Sequence, residues 1–308
     1  MKLNEIDYEW LIKRLSLPRG HIRMVLDTDT YNEIDDQFAL VWALRSQQKV
    51  TVEAIYAAPF FNHLSSDPKD GMEKSYDEIR RILSILHIPS DGYVFKGSKG
   101  YLKNCHTPQY SEAAQDLVQR AMNTDADPLY VVSIGAITNV ASAILMEPRI
   151  INKIVVVWLG GHAHHWPDTA EFNLKQDVAA ARIIFDSGVP LVQIPCAGVA
   201  SHLLTTLSEM RDYVKGQGEI GDYLYETFKN CQNDHFGYSR VIWDMTTMAY
   251  LINPSWVSTS LVHSPILTDQ LAFSQDTSRH FIRYATSVNR DAIFRDFFLK
   301  IKDLYAPG

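Results

Sequence analysis

The sequence predicts an α/β fold: a mostly parallel central sheet with helices on both faces, open and Rossmann-like, followed by a helical C-terminal part. From residue 21 onward, short runs rich in β-branched residues alternate with longer amphipathic segments, which is typical of βαβ units. The apolar runs have the length of buried strands and are too short for a membrane span. Because no internal repeat or Pro/Gly/Ser-rich linker interrupts the pattern, one domain over 1–308 is the economical interpretation.

The first 20 residues are predicted to form an N-terminal helical extension. Apolar side chains recur at near-helical spacing from Leu3 through Ile6 and Trp10 to Leu15, and Pro18 follows with Arg19 and Gly20 to end the helix. Charged residues interrupt this segment, so it does not resemble a secretory signal.

The elements after the extension follow in order along the chain. Strands are predicted at 22–27, 50–58, 129–135, 153–161 and 190–195. Helices are predicted at 35–46, 75–86, 111–122, 138–146 and 177–187. After residue 200 we expect helical segments near 204–231 and 244–251, β-like stretches at 260–268 and 280–286, and a final helix from Arg290.

Composition and charge limit the classes of partner that the protein is expected to bind. The 308 residues are 46% hydrophobic and carry a formal charge of −7, and the Lys and Arg residues are scattered, so no surface for nucleic acid is expected. The three cysteines are widely and irregularly spaced without a CxxC, which indicates neither a disulfide framework nor a zinc-thiolate site. We therefore expect a protein of the reducing cytoplasm that binds a small molecule and does not enter a membrane.

Four aspartates carry the main chemical signal. Asp27, Asp29, Asp35 and Asp36 fall where a buried strand ends, a loop follows and an apolar-faced helix begins. Ligands bind at this carboxyl edge in open α/β sheets. Carboxylates so closely spaced repel one another unless a hard cation with oxygen ligands neutralises them. The alternative is a solvated acidic loop with a single N-cap aspartate.

The segment DTDTYNEIDDQFAL resembles the N-terminal signature D-x-D-P-G-x-D-D-A of the inosine-uridine-preferring nucleoside hydrolases. The resemblance implies that Asp29 binds Ca²⁺ and acts as general base, that Asp36 is a calcium ligand, and that Asp35 holds ribose hydroxyls. Asp27 is placed with the substrate-binding residues. The chain departs from the signature because five residues separate Asp29 from Asp35 where the family has three, and the Pro-Gly is absent, so the loop geometry does not carry over.

Three further segments match the family in order. VVSIGAITNVA resembles the segment whose backbone carbonyl ligates calcium, which nominates Ser133. EFNLKQDVAAA resembles the block in which Glu and Asn grip ribose hydroxyls, here Glu171 and Asn173. VIWDMTTMAYL resembles the segment with the last calcium ligand, here Asp244. Taken alone, Ser133 could be a core hydroxyl, Glu171 a surface acid and Asn173 a helix cap.

The resemblance implies hydrolysis of the N-glycosidic bond of ribonucleosides to ribose and free base. A Ca²⁺ held by Asp29, Asp36, Asp244 and the Ser133 carbonyl would lower the pKa of its water, and Asp29 would take the proton. The family members are commonly dimers or tetramers, so a homo-oligomer is expected.

Recognition of the base is where this chain differs from many relatives. Trp243 stands where pyrimidine-tolerant members place a His, and a Trp-Asp pair is similar to the purine-specific branch, in which an indole stacks on the base. Trp243 could equally fill the core. His162, His164 and His165 follow a strand end; His165 is taken as a substrate contact, with a polar surface loop as the alternative.

Asn62, just after the second strand, matches a position where the family often places a substrate-contacting Asn, although loop asparagines are also common in turns.

Two competing functions remain open from the sequence. The string MVLDTDT also fits the start of haloacid-dehalogenase-like phosphatases, which would make Asp27 a nucleophile assisted by Mg²⁺. That hypothesis needs a downstream Lys and acidic pair that are not evident. A non-catalytic riboside-binding relative is the other possibility, suggested by the longer aspartate loop and the missing His.

Overall fold

The computed structural model describes residues 7–123 and 127–302. Its strands are β1 Ile22–Thr28, β2 Val50–Ala57, β3 Val94–Lys96, β4 Leu129–Ser133, β5 Ile154–Leu159, β6 Leu191–Ile194, β7 Leu204–Thr205, β8 Arg240–Val241, β9 Val257–His263, β10 Ile266–Leu267, β11 Phe273–Ser274 and β12 Phe281–Val288. Its α-helices are α1 Tyr8–Arg14, α2 Asp35–Leu44, α3 Pro68–Ile85, α4 Glu112–Met122, α5 Thr138–Met146, α6 Phe172–Gln176, α7 Val178–Asp186, α8 Leu207–Tyr213, α9 Gly218–Asn230, α10 Met245–Ile252 and α11 Arg290–Lys302.

The central sheet has eight strands in the order β3-β2-β1-β4-β5-β6-β12-β9. All neighbouring pairs are parallel except β12 and β9. The first six strands follow the order 3-2-1-4-5-6 of doubly wound sheets, so the chain reverses its direction of winding between β1 and β4. Ligands bind at the carboxyl ends of the strands at such a switch point.

Alternating side chains of β1 enter separate cores on the two faces of the sheet. Met24 and Leu26 pack with the apolar residues of α2, α3, α10 and α11, whereas Val25 packs with those of α4, α5 and α7. Both faces of the sheet are therefore covered, as the continuous apolar strand runs predict. Burial of each large apolar side chain stabilises the fold by about 1.5–3 kcal/mol.

The structure confirms the predicted α/β class and differs at several element boundaries. Helix α3 begins at Pro68, seven residues before the predicted start, because Asp67 caps it and Pro68 occupies the first turn, where no N–H is needed. The helical stretch predicted at 204–231 is divided into α8 and α9 by Gly216, whose φ of 76° ends a helix.

The C-terminal part also contributes to the sheet, which the sequence did not indicate. β12 pairs with β6 in parallel and with β9 in antiparallel orientation, so it extends the central sheet beyond the five strands predicted. Of the N-terminal extension, the structure describes a helix at Tyr8–Arg14, and the predicted positions Leu3 and Ile6 lie outside the described residues. Over the described part of the chain, no helix is both long and apolar enough to cross a bilayer.

Candidate active site

Asp27 and Asp29 lie at the switch point, where β1 ends beside β4. Asp27 is fully buried, and both carboxylate oxygens are engaged: Oδ1 accepts a hydrogen bond from Asn139 Nδ2 at 2.8 Å, and Oδ2 accepts one from Ser133 Oγ at 3.0 Å. Burial raises the pKa of Asp27 to about 7 despite these two bonds. Asp27 therefore joins β1 to β4 and α5.

Asp29 differs from Asp27 because its carboxylate has no hydrogen-bond partner in the part of the chain that the structure describes. It is 1% exposed, and neither Oδ1 nor Oδ2 accepts a hydrogen bond from any of the described residues. Burial, followed by the negative charges of Asp36 and Asp35, holds the pKa of Asp29 well above its usual range. Gly135 leaves room for this side chain, since a Cβ at Gly135 would stand 3.0 Å from Asp29 Cγ.

Asp35, Asp36 and Asp244 form a second acidic group next to Asp29. One carboxylate oxygen of each lies within 4.8 Å of the others, and all three side chains are buried. Asp36 accepts a hydrogen bond from Thr28 Oγ1, while Asp35 Oδ1 has no partner among the described residues. Burial is the main cause that raises the pKa of Asp36 to about 7 and the pKa of Asp35 and Asp244 well above the usual range.

Local structure explains how these acids are brought together. Asp35 and Asp36 form the first turn of α2, and Asp244 is the N-cap residue of α10, so two helix N-termini face the cluster. The partial positive charge of a helix N-terminus is too small to neutralise four buried carboxylates. A hard divalent cation with oxygen ligands does so, and the unpartnered oxygens of Asp29 and Asp35 are available to it. The donor set therefore fits such an ion.

A cavity of about 250 Å³ opens beside the acidic group. Its wall combines acids, amides, one imidazole and apolar or aromatic side chains: Asn32, Glu33, Asp35, Asp36, Ile134, Leu159, His162, Ala170, Glu171, Phe172, Asn173, Cys196, Trp243 and Asp244. A concave, partly apolar cavity with a few converging polar groups and acids of raised pKa is the usual form of a small-molecule site.

Glu171 and Asn173 line this cavity from the start of α6. Glu171 is the N-cap of that helix, and its carboxylate accepts hydrogen bonds from the backbone N–H groups of Gly161, Asn173 and Leu174 at 2.8–3.0 Å. Asn173 Nδ2 donates to the carbonyls of Ile134 and Leu159. Both side chains are 7% exposed or less, so Glu171 is not a surface acid.

At the end of β4, Ile134 lines the cavity and Ser133 does not. Ser133 Oγ donates to Asp27, whereas the Ile134 carbonyl accepts from Asn173 in the cavity wall. The signal for Ile134 in the sequence was its place directly before Gly135, the small residue that admits Asp29. Of the two residues, only Ile134 lines the cavity.

Of the remaining predicted residues, Trp243 lines the cavity, whereas Asn62 and His165 do not. Trp243 lines the cavity, and its backbone N–H donates to Asp35 Oδ2 at 3.1 Å. Asn62 stands behind the wall, where its Nδ2 donates to Asn32 Oδ1 at 2.7 Å. His165 is exposed and contacts Trp166, so the fold does not bring it to the cavity, whereas His162 does line it.

The longer aspartate loop supplies residues that the motif comparison did not find. Asn32 and Glu33 lie within the five residues between Asp29 and Asp35, and both line the cavity. Asn32 N–H donates to the Asp29 carbonyl at 2.7 Å, and Glu33 pairs with Arg240 at 2.6 Å. The loop is thereby attached to the segment that carries Trp243.

Replacing Arg240 with Ala is expected to raise KM for a cavity ligand by roughly tenfold, with kcat changed by less than about threefold, because Glu33 loses the cation that positions the loop. Steady-state kinetics measures both quantities. The control is Arg149→Ala, since Arg149 pairs with Glu147 on the surface outside the cavity. Equal KM values in the two variants would contradict a positioning role for Arg240.

The doubly wound sheet, the buried acids that fit a divalent cation and the adjoining cavity define an α/β enzyme acting on a small molecule. Residues 24–295 match the family model described as inosine-uridine preferring nucleoside hydrolase. The chain therefore belongs to this family, whose reaction class is the hydrolysis of ribonucleosides.

Sequence relatives include the pyrimidine-specific ribonucleoside hydrolase RihB of Escherichia coli and its putative counterpart in Shigella boydii. Each is 31% identical over 176 residues, which is 55% of this chain and 54% or 69% of the relative, respectively. The matched region thus spans about half the length of the Escherichia coli relative.

Solved structures share the fold over nearly the whole chain. The plant nucleoside hydrolase PpNRh1 is 18% identical with a TM-score of 0.72, covering 94% of this chain and 100% of that one. The purine-preferring ribonucleoside hydrolase from Gardnerella vaginalis is 21% identical with a TM-score of 0.71, covering 92% and 98%. At these identities the likeness establishes the fold alone.

Proposed function

We propose that this protein hydrolyses the N-glycosidic bond of ribonucleosides in the cavity beside Asp29, with Ca²⁺ held by the acidic cluster. One observation carries the proposal: Asp29 is buried with both carboxylate oxygens unpartnered among the described residues, next to three further buried aspartates. Such an arrangement is costly unless a cation and a reacting water use those oxygens.

The residues that would hold the cation are Asp29, Asp36 and Asp244, with a backbone carbonyl from the end of β4. The family resemblance implies the Ser133 carbonyl, and the Ile134 carbonyl is a second candidate because Ile134 lines the cavity. When bound, Ca²⁺ would lower the pKa of a coordinated water and orient it.

In the reaction, the water oxygen bonds to C1′ of ribose while the C1′–N bond breaks and its electron pair leaves on the base nitrogen. Asp29, as general base, takes the proton from the water, and the base acquires a proton from solvent, so the products are ribose and free base. Asp35, Glu171 and Asn173 would hold ribose hydroxyls, and the fixed negative charge around them favours the cationic ribosyl transition state.

The other predicted substrate residues would act through neighbouring residues or lie outside the cavity. Asp27 would orient the strand end through Asn139 and Ser133, and Asn62 would support Asn32. A direct substrate contact by His165 would require its loop to move, since its side chain is exposed away from the cavity wall.

The proposal is tested by incubating the protein with inosine, guanosine, adenosine, uridine and cytidine and measuring free ribose with a reducing-sugar assay. Each reaction is run with Ca²⁺ and again with a chelator. Ribose release that depends on Ca²⁺ supports the proposal. No release from any of them would leave a riboside-binding protein as the better description.

Purine preference is proposed on the strength of Trp243. Trp243 lines the cavity and is partly buried against the apolar core, so its indole would meet a base at the cavity wall. A purine offers a larger π surface to the indole than a pyrimidine does. The RihB relatives are named pyrimidine-specific, and uridine and cytidine therefore belong in the assay.

The variant Trp243→Leu is expected to lower kcat/KM for inosine by about 5- to 150-fold, since loss of base stacking costs about 1–3 kcal/mol. The loss for uridine should be smaller. Trp243→Phe keeps an aromatic face and serves as the matched control, with intermediate values. If uridine and inosine lose equally in Trp243→Leu, the indole packs the wall without selecting a purine.

The competing phosphatase hypothesis requires Asp27 as a free nucleophile. Both oxygens of Asp27 accept hydrogen bonds and the residue is fully buried, which disfavours attack on a phosphoryl group.

We further propose a cytoplasmic location and a homo-oligomer, either a dimer or a tetramer. Size-exclusion chromatography with light scattering measures the oligomeric state.

A further inference from the structure

His162 is the one imidazole in the cavity wall among the described residues, and the proposed mechanism leaves it without a role. It lies directly after β5, at the same carboxyl edge of the sheet as the aspartates. This ring is therefore the imidazole within the cavity that a departing base could contact.

The backbone around His162 is fixed by a tight turn. Gly161 has a φ of 74°, and a Cβ at this position would stand 2.5 Å from Thr169 Oγ1, so only glycine fits without a shift. The Gly161 N–H donates to Glu171, and the His162 N–H donates to Thr169 Oγ1 at 2.9 Å. One turn thus holds both the Glu171 carboxylate, which lines the proposed ribose site, and the backbone of His162.

The imidazole ring is held from the neighbouring strand end. The Ala197 N–H donates to His162 Nδ1 at 3.3 Å, in a segment where the Ala163 N–H also donates to the Ala197 carbonyl at 3.0 Å. Because Nδ1 accepts a hydrogen bond, it carries no proton, and the neutral ring has its proton on Nε2. His162 is therefore a donor through Nε2 alone.

Building on the proposed function, we propose that His162 is a base-binding residue that donates an Nε2–H hydrogen bond to an acceptor atom of the nucleobase as the C1′–N bond breaks. No proton is transferred from Nε2, because a neutral imidazole that gave up this proton would become an anion. The hydrogen bond stabilises negative charge on the departing base, and solvent supplies the proton that the free base finally carries.

The surroundings of the ring agree with a neutral donor. Burial lowers the pKa of His162, and the nearby charges of Asp168 and Lys175 act in opposite directions. Protonation at Nδ1 would also cost the hydrogen bond from Ala197. The sequence pointed to the histidine group 162–165, and the turn at Gly161 decides which member faces the cavity.

The test compares two substrates that differ in what the leaving group requires. Inosine needs stabilisation of its departing base, whereas p-nitrophenyl β-D-ribofuranoside releases a stable phenolate without help. We expect His162→Ala to lower kcat/KM for inosine by about 10²-fold and to change that for the nitrophenyl riboside by less than about threefold. His162→Gln retains a donor and should recover part of the loss.

Equal losses of kcat/KM on both substrates would overturn the proposal and assign His162 a structural role. No loss of kcat/KM on inosine would also overturn it. Binding of free hypoxanthine or uracil, followed by tryptophan fluorescence, needs no turnover and should weaken about tenfold in His162→Ala. Unchanged base binding would likewise overturn it. Wild-type protein that binds bases through His162 but releases no ribose would instead contradict the proposed function alone.

Discussion

Asp29→Asn is expected to lower kcat for ribonucleoside hydrolysis by roughly 10³-fold or more, because the amide cannot take the proton from the attacking water. The substitution keeps the shape of the side chain and removes one of the negative charges that would hold Ca²⁺. Free ribose release under saturating inosine measures the effect. A variant with activity close to that of the wild type would exclude Asp29 as the general base.

The same substitution should make the metal-free protein more stable. Burial and neighbouring carboxylates raise the pKa of Asp29, so its charge destabilises the folded state at neutral pH, and the neutral amide removes this cost. We expect a higher Tm for chelated Asp29→Asn than for chelated wild type. Opposite changes in activity and stability are typical of catalytic side chains.

Asp27→Asn is the matched control for Asp29→Asn. The two residues are neighbours on one strand end and both are buried, but the oxygens of Asp27 accept bonds from Asn139 and Ser133. An amide at 27 keeps an acceptor for Asn139, but its N–H₂ group is satisfied only if the Ser133 hydroxyl turns to accept, so this variant should gain less stability than Asp29→Asn. A lower Tm for Asp29→Asn than for Asp27→Asn, both chelated, would contradict the assignment.

Removal of the divalent ion is expected to abolish activity and to lower Tm, with a larger effect at pH 8 than at pH 5. The pKa values of Asp27 and Asp36 are raised to about 7 from an ordinary value near 3.9. For acids with a raised folded-state pKa, the stabilisation by bound protons is present at low pH and is lost as the pH rises through about 7. Metal-free protein should therefore lose stability over this range.

Ca²⁺ replaces the lost protons as the neutralising charge, and its binding releases those that remain. The Tm difference between calcium-loaded and chelated protein, measured at pH 5 and pH 8, tests this expectation. Added Mg²⁺ at the same ionic strength controls for screening, since Mg²⁺ binds reluctantly to sites made of protein oxygens alone. A Tm difference that is the same at both pH values would contradict coupling between the cation and the buried acids.

The sequence predicted the fold class and the buried strands because apolar runs bounded by helical segments determine both. It also placed Asp29, Asp35, Asp36 and Asp244 in segments that the fold brings to a single sheet edge. Sequence spacing cannot predict that Asp244 lies close to the other three aspartates, because it is far from them along the chain. The motif resemblance predicted this proximity instead. β12 was not assigned to the central sheet because its place depends on pairing with β6.

Side-chain direction at turns was the main property that the sequence could not provide. Among the three histidines after β5, the positive φ of Gly161, the bond that the His162 N–H donates to Thr169 and the bond that the Ala197 N–H donates to His162 decide that His162 faces the cavity. The five-residue loop after Asp29 is another case, because its conformation depends on the Glu33–Arg240 pair. Both features depend on contacts between residues distant in the sequence.

The central claim is that the buried acids and their cation cleave ribonucleosides with water. Its most direct test is the release of free ribose from inosine by wild-type protein and by Asp29→Asn, with Ca²⁺ and no phosphate in the buffer. We predict steady ribose release by the wild type that stops on chelation, and none above background for the variant. Wild-type protein that releases no ribose, or a variant that releases it equally, would contradict the account.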